Sequence, residues 1–312
     1  MKFRTELNID KADFEISHKD KLMFIGSCFS HNIGSKFEAL KFDININPNG
    51  IIFNPISICN TLNNVIDNCK LEAKDVVENN ELYHSFLHHG SFSRLTYKEL
   101  EGKVNKSTEI AHNFLKNAKV LFVTFGSAFT YLYKDGVVAN CHKIPQSKFI
   151  KRILEVPEIV ESFSLVLNKL KIFNPNLKVV FTVSPVRHVK DGIVENNLSK
   201  STLLLAINKL EKANLNCSYF PSYELVLDDL RDYRFYNEDL IHPNNKAVSY
   251  IWDKIELTYF NRETLALTKE IKSLVQAKNH KLLHPETEQS KKFVSKTRNK
   301  LQAFKNKTGI EI

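Results

Sequence analysis

Apolar residues along the chain fall into two alternating patterns: short unbroken runs, and residues spaced at a helical period. Leu22-Met23-Phe24-Ile25 is an unbroken run that stops at Gly26 and is followed by Ser27, Cys28, Phe29 and Ser30. It predicts a buried strand and a sharp turn. Phe29, Ile33, Phe37 and Leu40 then keep helical spacing, so a helix follows with Cys28 near its N-terminus. Phe42 to Ile46 alternates as a short strand does and runs into Asn47-Pro48-Asn49-Gly50, a turn in which Gly50 permits close backbone approach. Asn54-Pro55 opens a helix carrying Ile58, Leu62, Val65 and Ile66. From Glu72 to Asn105 periodicity is weak and aromatic and histidine residues accumulate, which suggests an insertion beside the core.

The pattern resumes with a helix over about 109–117 and a buried strand over 119–125 that ends at Gly126-Ser127. Asp135-Gly136 between apolar arms signals a hairpin that delivers Asn140-Cys141-His142. A helix over about 156–172 precedes a strand over 177–183 ending in Ser184-Pro185-Val186-Arg187-His188. A helix over about 198–213, a short strand at Ser218-Tyr219-Phe220, and a helix bearing Ala247, Ile251, Ile255 and Tyr259 complete the series, with Pro243 in the last helix's first turn and His242 at its start. Strands alternating with helices predict the α/β class, a parallel sheet covered on both faces. In such sheets the site forms beyond the carboxyl ends of the strands.

Composition narrows the class. The 312 residues carry 43% apolar side chains with only 9 glycines and 9 prolines, as an ordinary globular chain does. Residues 1–20 mix charges and hold no apolar stretch of signal-peptide type, and no apolar run approaches a membrane span, so a cytoplasmic location is expected. Five scattered cysteines without C-x-x-C spacing suit reduced thiols. The net charge of +9 is concentrated at the end: Glu263 to Ile312 holds 11 Lys and Arg against 5 Asp and Glu. The expected organisation is a domain over 1–260 and a basic extension over 261–312, helical or partly disordered. That extension is suited to contact a polyanion, but no groove-reading or aromatic-interleaved motif points to a specific nucleic acid.

Chemistry concentrates in two stretches. A thiol at a helix N-terminus meets free amides and the positive end of the dipole, so Cys28 is expected to ionise more easily than free cysteine; read as structure, Cys28 is a small core residue and Ser27 a cap. In Asp239-Leu240-Ile241-His242-Pro243 the carboxylate can fix the tautomer of the imidazole and leave its other nitrogen free to accept a proton; a solvated helix cap explains the same residues. His84, His88, His89, Cys141 and His142 are metal-ligand types, but their spacing matches no metal site, and neither metal nor cofactor is expected.

Gly26-Ser27-Cys28-Phe29-Ser30 resembles the name-giving motif of the GSCFA family, and Asn47 to Asn54, Phe125-Gly126, Val138 to Lys143, Ser184 to His188 and Asp239 to Pro243 resemble its further blocks. The resemblance covers about residues 21–259. The family is regarded as a branch of the SGNH, or GDSL-like, hydrolases, which implies a three-layer α/β/α sandwich with a mostly parallel sheet and a Ser-His-Asp site acting on acyl esters. Carried over by position, the nucleophile falls on Cys28, with His242 as base and Asp239 as its orienter; Ser27 is the alternative nucleophile. The implied oxyanion donors include the amides of Cys28 and Gly50. The superfamily's asparagine is missing after Gly126, where Ser127-Ala128-Phe129 stands, so Asn54, Ser127 or Asn140 is left to supply a third donor. Gly126, His142, Arg187 and His188 complete the substrate side, and Arg187 is suited to an anionic group. The expected activity is hydrolysis or transfer of an O-acyl group on a small-molecule or glycan substrate. A non-catalytic protein that holds a polyanion on the same fold is the competing class.

Overall fold

Five strands form a single parallel sheet in the computed structural model, which describes residues 4–134 and 136–312. In chain order they are β1 (Lys21–Gly26), β2 (Asp43–Ile46), β5 (Val120–Phe125), β9 (Lys178–Val183) and β10 (Cys217–Tyr219). Two small antiparallel sheets lie between them in sequence: β3 (Val76–Asn79) with β4 (Leu82–Ser85), and β6 (Phe129–Tyr133) between β7 (Gly136–Val138) and β8 (Ile150–Ile153). The helices are α1 (Cys28–Ala39), α2 (Pro55–Ile66), α3 (Tyr97–Leu115), α4 (Val156–Phe173), α5 (Ile193–Ala213), the short α6 (Ser222–Glu224), α7 (Asn245–Tyr259), α8 (Arg262–Lys278) and α9 (Glu288–Thr308).

Across the large sheet the order is β10-β9-β5-β1-β2. The chain steps outward from β1 to β2 and then returns to β5 on the other side of β1, so the connections diverge between β1 and β5. A crevice at the carboxyl ends of those strands is where such sheets place their ligands. The parallel register Phe24↔Phe122 and Phe122↔Val180 aligns the strands, and their ends bring Ser27, Asn47, Gly126 and Ser184 to one edge.

Alternation along each strand divides the core in two. Met23 and Ile25, with Leu121, Val123 and Phe125 and with Val179, Phe181 and Val183, pack under α2, α3, α4 and α5. Leu22 and Phe24, with Val120, Phe122 and Val180, face α1 and α7. The result is the three-layer α/β/α arrangement. On the second face Phe37 is fully buried, with its ring against those of Phe24, Phe42, Trp252 and Phe260. Ile271 and Leu274 of α8 and Phe304 of α9 join the same cluster, so the two helices of the segment 261–312 pack apolar residues on the body. Among the described residues no helix is long and apolar enough to cross a membrane.

Several boundaries differ from the sequence reading. The helix expected over 109–117 begins at Tyr97, because Leu100, Val104, Thr108, Ala111 and Leu115 form one buried stripe through a charged stretch. The β6–β7 hairpin pairs Tyr133 with Gly136 as the Asp-Gly signal implied, while Asp135 itself lies outside the described residues. β8 went unforeseen: Ile150 and Ile153 are exposed, so no buried period marks it. Pro243 is not in a helical turn. Asn244 is the N-cap of α7, its side chain accepting from the N–H groups of Lys246 and Ala247, and Pro243 instead bridges to Tyr236.

Candidate active site

The turn from β1 into α1 is shaped by Gly26. Its φ is +136°, its N–H donates to Oδ1 of Asn47 at 2.8 Å, and a Cβ there would stand 2.2 Å from the carbonyl oxygen of Thr124. Only glycine fits. The next residue, Ser27, is the N-cap of α1, yet its hydroxyl makes no capping bond; the residue is 1% exposed and Oγ has no partner among the described residues. Cys28, one residue on, is partly exposed. The amides of Cys28 and Phe29, two of the N–H groups that the first helical turn leaves free, act to lower the pKa of its thiol.

The expectation of a readily ionised thiol is not met by the protein's own burial. Desolvation raises the Cys28 thiol above the ordinary cysteine value, against the opposing pull of the Phe29 and Cys28 amides and of Lys200. The helix N-terminus acts in the expected direction, but loss of water outweighs it. The neighbour that sequence reasoning missed is Lys200. It is 1% exposed, and its Nζ donates to the carbonyl oxygens of Gly126 at 2.6 Å and Ser184 at 2.7 Å, beyond the ends of β5 and β9. Burial pulls its ammonium down to about 7, while the charge of Cys28 acts to raise it. The signal that marks it is helical phase: Asn196, Ser199, Leu203, Ala206, Ile207 and Leu210 are the buried stripe of α5, and Lys200 lies on it.

Asp239 and His242 sit together in the loop before α7. Oδ2 of Asp239 is 2.7 Å from Nδ1 of His242, and Oδ1 accepts from the N–H groups of Ile241 and His242 at 2.9 and 3.0 Å. These backbone bonds, with the imidazole, hold the carboxyl at about 2, so it is an anion at neutral pH. A carboxylate in that place makes Nδ1 the protonated nitrogen and leaves the lone pair on Nε2. Both side chains are 45% exposed, so the pair faces solvent. The loop is anchored to the sheet: the N–H of Arg187, four residues beyond β9, donates to the carbonyl oxygen of Ile241 at 3.2 Å.

His188 follows Arg187 in the chain, and its ring is edge-on to Phe53. Burial, then the charges of Lys200 and His242, hold it at about 4, so it is neutral. Its Nε2 is buried without a partner among the described residues. Arg187 lines a hollow with Val226, Leu227, Arg231, Asp232, Tyr233 and Tyr236.

Most other expected site residues are already engaged. The N–H of Gly50 closes its turn by donating to Asn47 O at 2.7 Å, and at φ +77° its α-carbon abuts His89, whose Cβ would lie 2.4 Å from an added Cβ. Asn54 caps α2: Oδ1 accepts from Ser57 N–H, and Nδ2 donates to Ser57 Oγ. The Gly126 N–H donates to Phe53 O, and Ser127 Oγ pairs with Ser199 Oγ while accepting from Phe129 N–H. Asn140 accepts from His142 N–H through Oδ1. His142 is buried, with its Nε2 2.7 Å from Ser85 O and its ring stacked on His84. The amides of Cys28 and Phe29, by contrast, stand in the first turn of α1, where the helix leaves its N–H groups without partners of its own.

Comparison with known proteins yields a family. No curated protein matches the chain. Among solved structures, a carbohydrate esterase family 3 protein from Talaromyces cellulolyticus aligns over 80% of this chain and 99% of its own, at 11% identity and a TM-score of 0.38. An acetyl xylan esterase from the rumen bacterium Butyrivibrio proteoclasticus aligns over 84% of this chain and 67% of its own, at 13% identity and a TM-score of 0.38. At this distance neither likeness bears on what the chain does. The model of the GSCFA family, in contrast, matches residues 21–255, from the first residue of β1 into α7. The chain belongs to the GSCFA family.

Proposed function

We propose that the protein cleaves or transfers O-acyl groups through a covalent acyl-enzyme, with Cys28 as nucleophile, His242 as base and acid, and Asp239 orienting His242. The observation that carries this reading is the Asp239–His242 pair, tied by Arg187 to the strand edge where Cys28 opens α1. Exposure favours Cys28 over Ser27: a hydroxyl in a residue 1% exposed meets no substrate without rearrangement, whereas the thiol is partly open.

The steps balance simply. Nε2 of His242 takes the thiol proton, and the thiolate adds to the ester carbonyl. The amides of Cys28 and Phe29 receive the oxyanion, a contribution typically worth ~100-fold or more in rate per donor. Collapse breaks the ester C–O bond, and His242 returns its proton to the departing alkoxide. The resulting thioester is released to water, or to an acceptor hydroxyl, by the same base. Arg187 has no carboxylate partner among the described residues, which supports an acyl or acceptor group carrying negative charge.

Hydrolysis of p-nitrophenyl acetate and longer esters by purified variants tests the reading. Cys28→Ala and His242→Ala are expected to lose activity by ~100-fold or more, and Ser27→Ala to retain most of it. Arg187→Gln raises KM for anionic esters alone. Full activity in Cys28→Ala would overturn the assignment.

A further inference from the structure

The hollow lined by Arg187, Arg231, Tyr233 and Tyr236 is about 140 Å³ in volume and shares a wall with the loop that carries His242. Three backbone links join them: the N–H of Arg187 donates to Ile241 O at 3.2 Å, that of Asn237 donates to His242 O at 2.8 Å, and Tyr236 bridges to Pro243. The hollow's charge is one-sided. Neither Arg187 nor Arg231 has a carboxylate partner among the described residues. The carboxylate on the wall, Asp232, is taken by Arg234, whose Nη2 donates to Oδ2 and whose N–H donates to Oδ1, both at 2.8 Å. The hydroxyl of Tyr236 is buried with no partner among the described residues, a donor in want of an acceptor. The backbone is bent to build this wall. Leu225–Leu230 is a π-helical turn, a form that recurs at functional sites, and Arg231 closes it in the left-handed region at φ +43°. Asp229, buried in that turn, fixes it by accepting from Leu7 N–H at 3.0 Å and from the Tyr250 hydroxyl at 2.8 Å.

Resting on the acyl-enzyme reading with His242 as base and acid, we propose that this hollow is the subsite for the alcohol side of the ester, and that the alcohol, or the acceptor in a transfer, carries a carboxylate or phosphate bound by Arg187 and Arg231. The side follows from the mechanism. His242 returns its proton to the departing alkoxide, so the alcohol leaves beside His242, and the hollow is built on the same loop. The size follows from the volume. Sites that enclose a whole small molecule run to roughly 300 Å³ or more, so this one takes a single charged substituent and leaves the rest of the alcohol outside. Guanidinium forks match the paired oxygens of a carboxylate or phosphate, and Tyr233, 63% exposed, adds an aromatic ring beside them.

Calorimetric titration of the purified protein with D-glucuronate against glucose, and with glycerophosphate against glycerol, tests the hollow without any ester. The expected result is that one of the two anions binds about tenfold or more tighter than its neutral counterpart, and the tighter of the two identifies the charged group. Arg231→Gln weakens that binding about tenfold, whereas Asp232→Asn, which keeps an acceptor for Arg234 N–H, strengthens it. A structural role alone does not move affinity in opposite directions. Anions that bind no better than the neutral compounds, or two variants that leave affinity unchanged or shift it the same way, overturn the proposal. The side is read from kcat/KM for p-acetoxybenzoate, charged on the alcohol, and for monophenyl succinate, charged on the acyl group, each relative to phenyl acetate. A preference for p-acetoxybenzoate that Arg231→Gln removes is expected; a preference for monophenyl succinate overturns the assignment to the alcohol side. The titration needs no nucleophile, so anion binding together with wild-type ester hydrolysis in Cys28→Ala would sink the Cys28 reading and leave the anion site standing.

Discussion

Asp239 uses both carboxylate oxygens on His242 and its loop, Oδ2 against Nδ1 at 2.7 Å and Oδ1 against the backbone N–H groups of Ile241 and His242. The same carboxylate that orients the ring thus also shapes the turn that carries it. Leu240, between them, adopts φ +56°, a conformation a leucine holds only when its surroundings enforce it.

Replacing Asp239 by Asn keeps the size of the side chain but removes its charge, and it allows the amide to favour the wrong tautomer of His242. The expected outcome is a fall in kcat of ~100-fold or more with little change in KM, read from steady-state ester hydrolysis. A variant with kcat near the wild-type value would place the orienting role elsewhere.

The same carboxyl makes stability depend on acid. Its folded value, about 2, lies below that of an ordinary aspartate. Its contribution is therefore complete above the unfolded value of about 4 and is lost as pH falls toward about 2. Melting temperature followed through that range should drop more steeply in the wild type than in Asp239→Asn. Parallel curves would show that the bonds to Ile241 and His242 do not persist in solution.

Gly50 and Gly90 give an internal contrast. An alanine at 50 must take φ +77° with its Cβ 2.4 Å from that of His89, whereas an added Cβ at Gly90 meets nothing within 4 Å. Gly50→Ala is expected to cost about 1–3 kcal/mol and to lower activity by moving the turn beside the site. Gly90→Ala should stay within about 0.5 kcal/mol of wild type. Urea denaturation of the two variants measures both.

The sequence made the sheet legible where strands are buried on both faces. β1, β5 and β9 read as unbroken apolar runs because α helices cover them on either side, and their polar endings marked the site edge. Asp239 and His242 were legible because their pairing is local, three residues apart. β8 was hidden because its isoleucines face outward. Lys200 was hidden for a different reason: charge in a helix reads as solvated surface, and only its phase with Leu203, Ile207 and Leu210 contradicts that. At Gly50 and Asn54 the structure shows turn closure and helix capping, roles that glycine and asparagine in a turn take as readily as catalysis and that sequence alone does not separate from it. The ease of ionising Cys28 was overestimated because a helix N-terminus is visible in sequence and desolvation is not.

A covalent acyl-enzyme on Cys28 is trapped by rapid acid quench during turnover of p-nitrophenyl acetate and located by peptide mass spectrometry. The expected result is one acetyl group on the peptide containing Cys28, labile to hydroxylamine at neutral pH as a thioester is, and no such adduct in Cys28→Ala. An acetyl ester on Ser27, or hydrolysis that continues in Cys28→Ala without any adduct, would contradict it.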